Sequence, residues 1–356
     1  MHPDFYNSDA FSLVTLTAVI NDEEHVPGRA GELVFGGIGE GVATTSIDFE
    51  LNPETLGLIP TSARGGPAPV NGQDKRTLKT VGIPHVKLEE TISAGQIQGV
   101  RELGSMDTLR GARSVVDGQM RKQSRRHDLT LEHFRLGALS GIVLDSDSTE
   151  LVNLFTLFGV TEKVFSFDSV FIPSADQAET LVTVRRKCND VVRYMKRNLG
   201  GAWNSGARVW SFVGDNFFDK LIETVGQTNK GFEAAERKLG DSYVNGVFEW
   251  GGVFFENYAG TNDATKTSAG TVGIDPDEAR FFITGVPGLY QETYAPGDFL
   301  ETVNTLGLPR YAKVAATDNM NRSVTLHTQQ NPLPMCLKPA TLVKGTSTAS
   351  TEDLAE

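Results

Sequence analysis

The chain has 356 residues, with 33 Lys and Arg against 45 Asp and Glu, a net charge of −12 and 39% hydrophobic residues. That length supports two or three units with real cores, and the acidic balance argues against a dedicated nucleic-acid-binding surface over most of the chain. Cys188 and Cys336 fit neither CxxC nor zinc spacing and read as free thiols in a reducing compartment; no basic-then-apolar leader opens the chain and no apolar run approaches a bilayer span.

Residues 1 to about 40 read as an N-terminal arm, in which FSLVTLTAVI could be a short helix or a strand. GGIGEG, residues 36–41, lacks the GxGxxG spacing and precedes a strand, so it reads as a turn. In TTSIDFELNPETLGLIP, Ile47, Phe49 and Leu51 alternate with Ser46, Asp48 and Glu50, the period of a half-buried strand. RTLKTVGIPHVKLEETI reads as the return strand, with Pro84 marking an edge or bulge. Between them TSARGGPAPVNGQDKR, residues 61–76, carries three positive charges and no large apolar residue except Val70. A lone two-stranded hairpin is marginal in water. Its apolar face needs a surface, and that surface could belong to another subunit.

Residues 106–141 form the strongest predicted helix. Leu109, Ala112, Val116, Met120, Gln123, His127, Leu131, Phe134 and Ala138 make one apolar stripe at three- and four-residue steps. Asp128 could begin a second segment at a bend, and Gly141 ends the helix. The opposite face carries Arg121, Lys122, Arg125 and Arg126. GIVLDSDSTELVNLFTLFG is two apolar runs around a polar turn, and SADQAETLVTVRRKCNDVVRYMKRNLGG is a second helix with a Ser174–Gln177 capping box. ARVWSFVG reads as a buried strand, DNFFDKLIETVG as an amphipathic helix, FEAAERKLG as a short helix and GVFEWGGVFFENYAG as strands. The last third is strands and turns with a short helix near 298–304, then a polar disordered tail at 346–356. The fold class is α+β, without regular βαβ alternation.

Chemistry is hard to find. DSDSTE lacks the central Gly and twelfth-position Glu of a calcium loop and reads as a hairpin turn. His127 and His133 lie six residues apart and share no helix face as a metal pair would, so the histidines read as structural. No GxSxG elbow or Cys-His signature appears. No catalytic residue, metal or cofactor is implied. The basic clusters at 121–126 and 185–197 read as solvated faces, with sequence-independent phosphate contact as the alternative.

Several patches in order resemble the major capsid protein E family of tailed phages: LIPTSARGGPAPV, TLEHFRLGALSGIVLDSD, ARVWSFVGDNFFDKLIE, GVFEWGGVFFENYAG, DEARFFITGVPGLYQETYAP and NPLPMCLKPATLVK. The resemblance implies the Hong Kong 97-type capsid fold. Its parts would be an N-terminal arm (1–40), an extended E-loop hairpin (41–90), a peripheral domain with the spine helix (91–158), an axial domain (159–290) and return strands (291–345). The E-loop would lie across a neighbouring copy through Ile47, Phe49, Leu51, Arg64, Gly65, Gly66, Lys75 and Arg76. Its exposed ion pairs would contribute only about 0–1 kcal/mol each. The spine core face would be Leu109, Ala112, Val116, Met120, Leu131 and Phe134, with Arg121, Arg125 and Arg126 facing DNA. The implied function is the head-shell subunit of a double-stranded DNA phage, in the virion after assembly in host cytoplasm. Implied partners are hexamers and pentamers of the chain, a separate scaffolding protein, the portal and packaged DNA, with no membrane; relatives of the lambda type also use a decoration protein, and the sequence leaves open whether this chain does. An encapsulin-like cargo shell and a cytosolic carboxylate-dependent hydrolase are the alternatives.

Overall fold

The stripe on the long helix sets how the sheets are arranged. The computed structural model describes residues 28–36, 39–51, 77–97, 112–171, 177–226, 247–258, 272–316 and 322–348. Within these the helix runs Ala112–Ser140, 29 residues, or roughly 43 Å at 1.5 Å per residue. Val116, Met120, Gln123, His127, Leu131, Phe134 and Ala138 are all buried. The helix is continuous through Asp128 rather than broken there, because that carboxylate is taken by Arg310 instead of capping a new segment. Leu109 lies outside the described residues, and Ala112 opens the described helix.

In chain order the first strands are β1 (Gly39–Gly41), β2 (Ser46–Leu51), β3 (Thr77–Gly82), β4 (Val86–Ser93), β5 (Ile142–Leu144), β6 (Glu150–Asn153), β7 (Lys163–Ser166) and β8 (Arg208–Val213). There follow β9 (Val247–Trp250), β10 (Val253–Asn257), β11 (Glu278–Thr284), β12 (Tyr290–Tyr294), β13 (Tyr311–Ala316), β14 (Ser323–Gln330), β15 (Pro332–Cys336) and β16 (Val343–Thr346). They make a six-stranded sheet β7-β16-β11-β8-β10-β9, two three-stranded sheets β13-β14-β4 and β1-β12-β15, and the hairpins β2-β3 and β5-β6.

Helices Gln177–Leu199 and Asp215–Gly226 pack with the six-stranded sheet. The first of these buries Val184, Cys188, Val191, Met195 and Leu199, the face its spacing predicts. Phe167 sits at the centre of the core, 5.3 Å from the Phe217 ring and 6.0 Å from Phe281. Cys188 and Cys336 are free and buried, and burial pushes each thiol up to about 12. The first half of the long helix lies on β13-β14-β4, where Ile92, Val115, Val116, Met120, Ala312, Val314, Val324 and Leu326 form a separate apolar cluster.

Two sequence expectations change. The last three residues of GGIGEG are not a turn but strand β1, parallel to β12 from Gly39↔Glu292 to Gly41↔Tyr294. The predicted single return strand is two strands in different sheets: β3 pairs with β2, and β4 pairs with β14 over Val86↔Gln330 to Ser93↔Ser323. The switch falls at 83–85, where Pro84 has no N–H to carry the ladder onward.

Candidate assembly surface and its support

The hairpin is built by alternation. β2 and β3 pair antiparallel from Ser46↔Gly82 to Leu51↔Thr77. Thr80 Oγ1 donates to Asp48 Oδ1 across the strands at 2.5 Å. Ile47 and Phe49 project to one side, but that side is covered by their own chain. Both are half-buried against the main core, beside buried Val81. The Phe49 ring lies 6.5 Å from Phe158 at the end of helix Leu154–Phe158. This face of the hairpin root is therefore covered in part by its own chain, where the sequence pointed to another subunit. The covering residue arrives from more than a hundred positions downstream, a distance that periodicity cannot read. Leu78 on β3 is 66% exposed. Arg64, Gly65, Gly66, Lys75 and Arg76 lie outside the described residues, as does the Leu51 side chain.

The root is tied down by backbone and amide bonds. Val42 N–H donates to Tyr294 O and Ile83 N–H to Thr45 O, both at 2.9 Å. His85 Nδ1 meets Asn331 Oδ1 at 2.7 Å, and Asn331 Nδ2 donates to Pro296 O at 2.7 Å. A groove of about 880 Å³ lies between residues 43–46 and 295–304.

Beneath the hairpin, buried charges lock the long helix to its neighbours. Arg135 Nε and Nη2 donate to the two oxygens of Glu292 at 2.7 and 3.0 Å, with side chains only 6% and 1% exposed. Tyr294 OH donates to the same carboxylate. Burial alone would lower the Arg135 pKa, but the Glu292 hydrogen bond and charge outweigh it and raise the pKa overall. Burial first, and then Glu292, push the Tyr294 phenol up. Three residues earlier, Glu132 accepts from Ala30 N–H at 2.7 Å, Gly31 N–H at 3.2 Å and Tyr258 OH at 3.0 Å. A Cβ at Gly28 would stand 2.0 Å from the Glu132 Cδ, so any larger residue there would have to push this carboxylate aside. Arg29 grips Glu256 through two bonds of 2.5 and 3.2 Å, and Trp210 Nε1 donates to the same carboxylate at 2.9 Å.

The sequence reading missed Glu132, Arg135 and Glu292. The signal was present in LEHFRLGAL, where charges are bracketed by apolar residues on every helical face. Such a stretch is buried all round, and charges there require partners.

Nearer the start of the helix the seam joins a neutral hydrogen-bond chain to one ion pair. Thr328 Oγ1 donates to Gln123 Oε1 at 2.6 Å, so its oxygen must accept from His127 Nε2 at 3.0 Å. That assignment leaves Nδ1 bare, and it is buried without a partner. Burial, and then the Arg310 charge, hold His127 down at about 4. Arg310 Nη1 donates to Ser124 Oγ at 2.5 Å and Nη2 to Asp128. His127 is thus a structural residue. Arg121, Arg125 and Arg126 stand on the exposed face of the same helix. DSDSTE is the turn between β5 and β6, with Asp147 Oδ1 accepting from Thr149 N–H at 2.9 Å. Among the described residues no group of three acidic, His or Cys side chains is arranged to hold a metal.

These elements can be set beside known proteins. A family model described as phage major capsid protein E matches residues 12–347. The chain belongs to that family. The major capsid protein of Salmonella phage Felix O1 is 25% identical over 284 residues, covering 73% of this chain and 75% of the relative. The crystal structure of a prophage capsid protein from Escherichia coli CFT073 matches with a TM-score of 0.53 at 12% identity, covering 94% of this chain and 99% of the other. The α+β chain therefore has the Hong Kong 97-like capsid fold expected from sequence. It is a phage major capsid protein, a structural component of the virion.

Proposed function

We propose that this capsid protein is the subunit of an icosahedral shell enclosing the double-stranded genome of a tailed phage, and that its hairpin reaches across a neighbouring copy. The observation that carries the reading is the hairpin itself. β2 and β3 pair only with each other among the described residues, one face of the root rests on the chain's own core, and Leu78 is left outward. A two-stranded ribbon is marginal alone, so its outer part gains order by lying on another subunit. Ile47 and Phe49 then anchor the root, and the 61–76 tip with Arg64, Lys75 and Arg76 supplies the reach. The net charge of −12 suits a container that must not grip its DNA. Arg121, Arg125 and Arg126 would supply weak phosphate contacts. A separate scaffolding protein and a portal are the expected partners, and assembly would take place in host cytoplasm.

The test is to remove the tip. Replacing residues 61–76 by a short Gly-Ser turn should leave circular dichroism and the melting transition of the subunit intact. It should abolish the shells seen by size exclusion and negative-stain microscopy. A wild-type chain that stays monomeric with scaffold under every assembly condition would overturn the shell reading. A tip-less chain that builds normal shells would overturn the hairpin's role alone.

A further inference from the structure

Among the described residues seven large apolar side chains are exposed, and four of them fall between positions 300 and 308: Leu300 at 92%, Val303 at 59%, Leu306 at 68% and Leu308 at 44%. Large apolar side chains left exposed together in one short segment mark a candidate contact site.

The backbone beneath these side chains is held from several directions. Thr302 Oγ1 donates to Gly297 O at 2.5 Å, and Thr305 Oγ1 donates to Thr302 O at 2.8 Å. Leu308 N–H donates to Tyr311 OH at 2.8 Å. Gly307 N–H donates to Val42 O at 2.9 Å, and a Cβ at Gly307 would lie 2.0 Å from Tyr294 O. The segment is pressed onto the hairpin root with its aliphatic side chains turned outward. It is not a loose loop that could fold them in.

Its charge narrows the choice of partner. The one ionisable residue from 300 to 308, Glu301, is bonded by Lys313 at 2.7 Å. The ridge therefore offers nothing to a polyanion. Each copy carries −12, so two copies repel over most of their surfaces. They approach most cheaply where the surface is neutral and apolar, and there burial contributes about 25 cal/mol per Å². The groove of about 880 Å³ beside the ridge gives the incoming surface a concave seat.

We propose that the 300–308 ridge docks against a second copy of this chain in the assembled shell, as a contact distinct from that of the hairpin tip. The proposal rests on the shell reading above, and its test separates the two. Leu306→Cys is labelled with a maleimide in the free subunit and in shells assembled with scaffold and then freed of it. The native thiols are both buried, so labelling reads the introduced one. Assembly should slow labelling at least tenfold. A rate unchanged on assembly overturns the ridge contact and leaves the shell reading standing. Slowing that appears only after another virion protein is added also overturns it, since the occupant is then that protein. Absence of any shell from the wild-type chain with scaffold present under every assembly condition defeats the shell reading itself. As a second measurement, L300S/V303S/L306S should melt as the wild-type subunit does but yield at least tenfold fewer shells. Wild-type yield from that variant would equally overturn the contact.

Discussion

The two halves of the long helix obey different physics. From 112 to about 130 one side lies on the β13-β14-β4 sheet through Val116 and Met120, while Arg121, Lys122, Arg125 and Arg126 face solvent. From 131 to 139 the helix is enclosed nearly all round, and Glu132 and Arg135 are buried beside Leu131, Phe134, Leu136, Ala138 and Leu139. In the first half Arg125 and Arg126 are exposed and can serve contacts outside the subunit, while Asp128 is matched inside it by Arg310. Charge in the second half has to be matched inside it, by Glu292 and by the backbone at residues 30–31. A single helix thus combines a fixed end with an adaptable one.

The sharpest way to break that contrast is at Glu292. Glu292→Ala would leave the Arg135 guanidinium buried without its counter-charge, a loss of about 3–5 kcal/mol. Equilibrium denaturation of the free subunit should show it. Arg135→Met with Glu292→Leu removes both charges and should recover most of that loss, since a matched apolar pair needs no compensation. A cost below about 1 kcal/mol for Glu292→Ala would mean that the enclosed half is held by apolar packing alone.

The next effect belongs to the seam between the halves. His127 is held at about 4 by burial and by Arg310, with His327 acting in the same direction and Asp128 opposing. The unfolded chain binds this proton near 6.5, so between about 6.5 and 4 the unfolded state takes it up first. Stability is therefore whole above that window and falls as the pH drops through it, by about 3 kcal/mol at most. Denaturation midpoints measured from pH 7 to pH 4 should fall more steeply for the wild type than for His127→Gln, which can still bond Thr328. Equal slopes would show that the His127 ring reaches water.

Much of this architecture was legible from residue spacing. The long-helix stripe, the buried face of Gln177–Leu199 and the buried strand at Arg208–Val213 follow from periods of 3.6 and 2, which act locally. What could not be read depends on partners distant in sequence. Ile47 and Phe49 have strand alternation, and alternation says that one side is covered without saying by whom; Phe158 supplies part of the answer. GGIGEG reads as a turn because glycine is permissive, yet β12 recruits its end as a strand. In the 300–308 segment, FLETVNTLGLP with its flanks, the three-residue spacing of Leu300, Val303 and Leu306 reads as a short helix with a buried face, so their outward direction is visible only once Gly307 is seen against Val42 and Tyr294.

The smallest expected change in stability comes from the outer face of the adaptable half, and it sharpens the contrast most directly. Arg125 and Arg135 are ten positions apart on one helix. Replacing Arg125 and Arg126 together by Ser should move the subunit's stability by no more than about 0.5 kcal/mol, because neither side chain is buried. Their proposed role outside the subunit predicts a different signature. Each phosphate contact contributes about 0.9 to the slope of log affinity against log salt. Filter binding of duplex DNA to the shells over a salt series should therefore give a shallower slope for the double variant, with no preference among sequences. An unchanged slope would assign these arginines to solvent, and the adaptable half would then carry its charge for solubility alone.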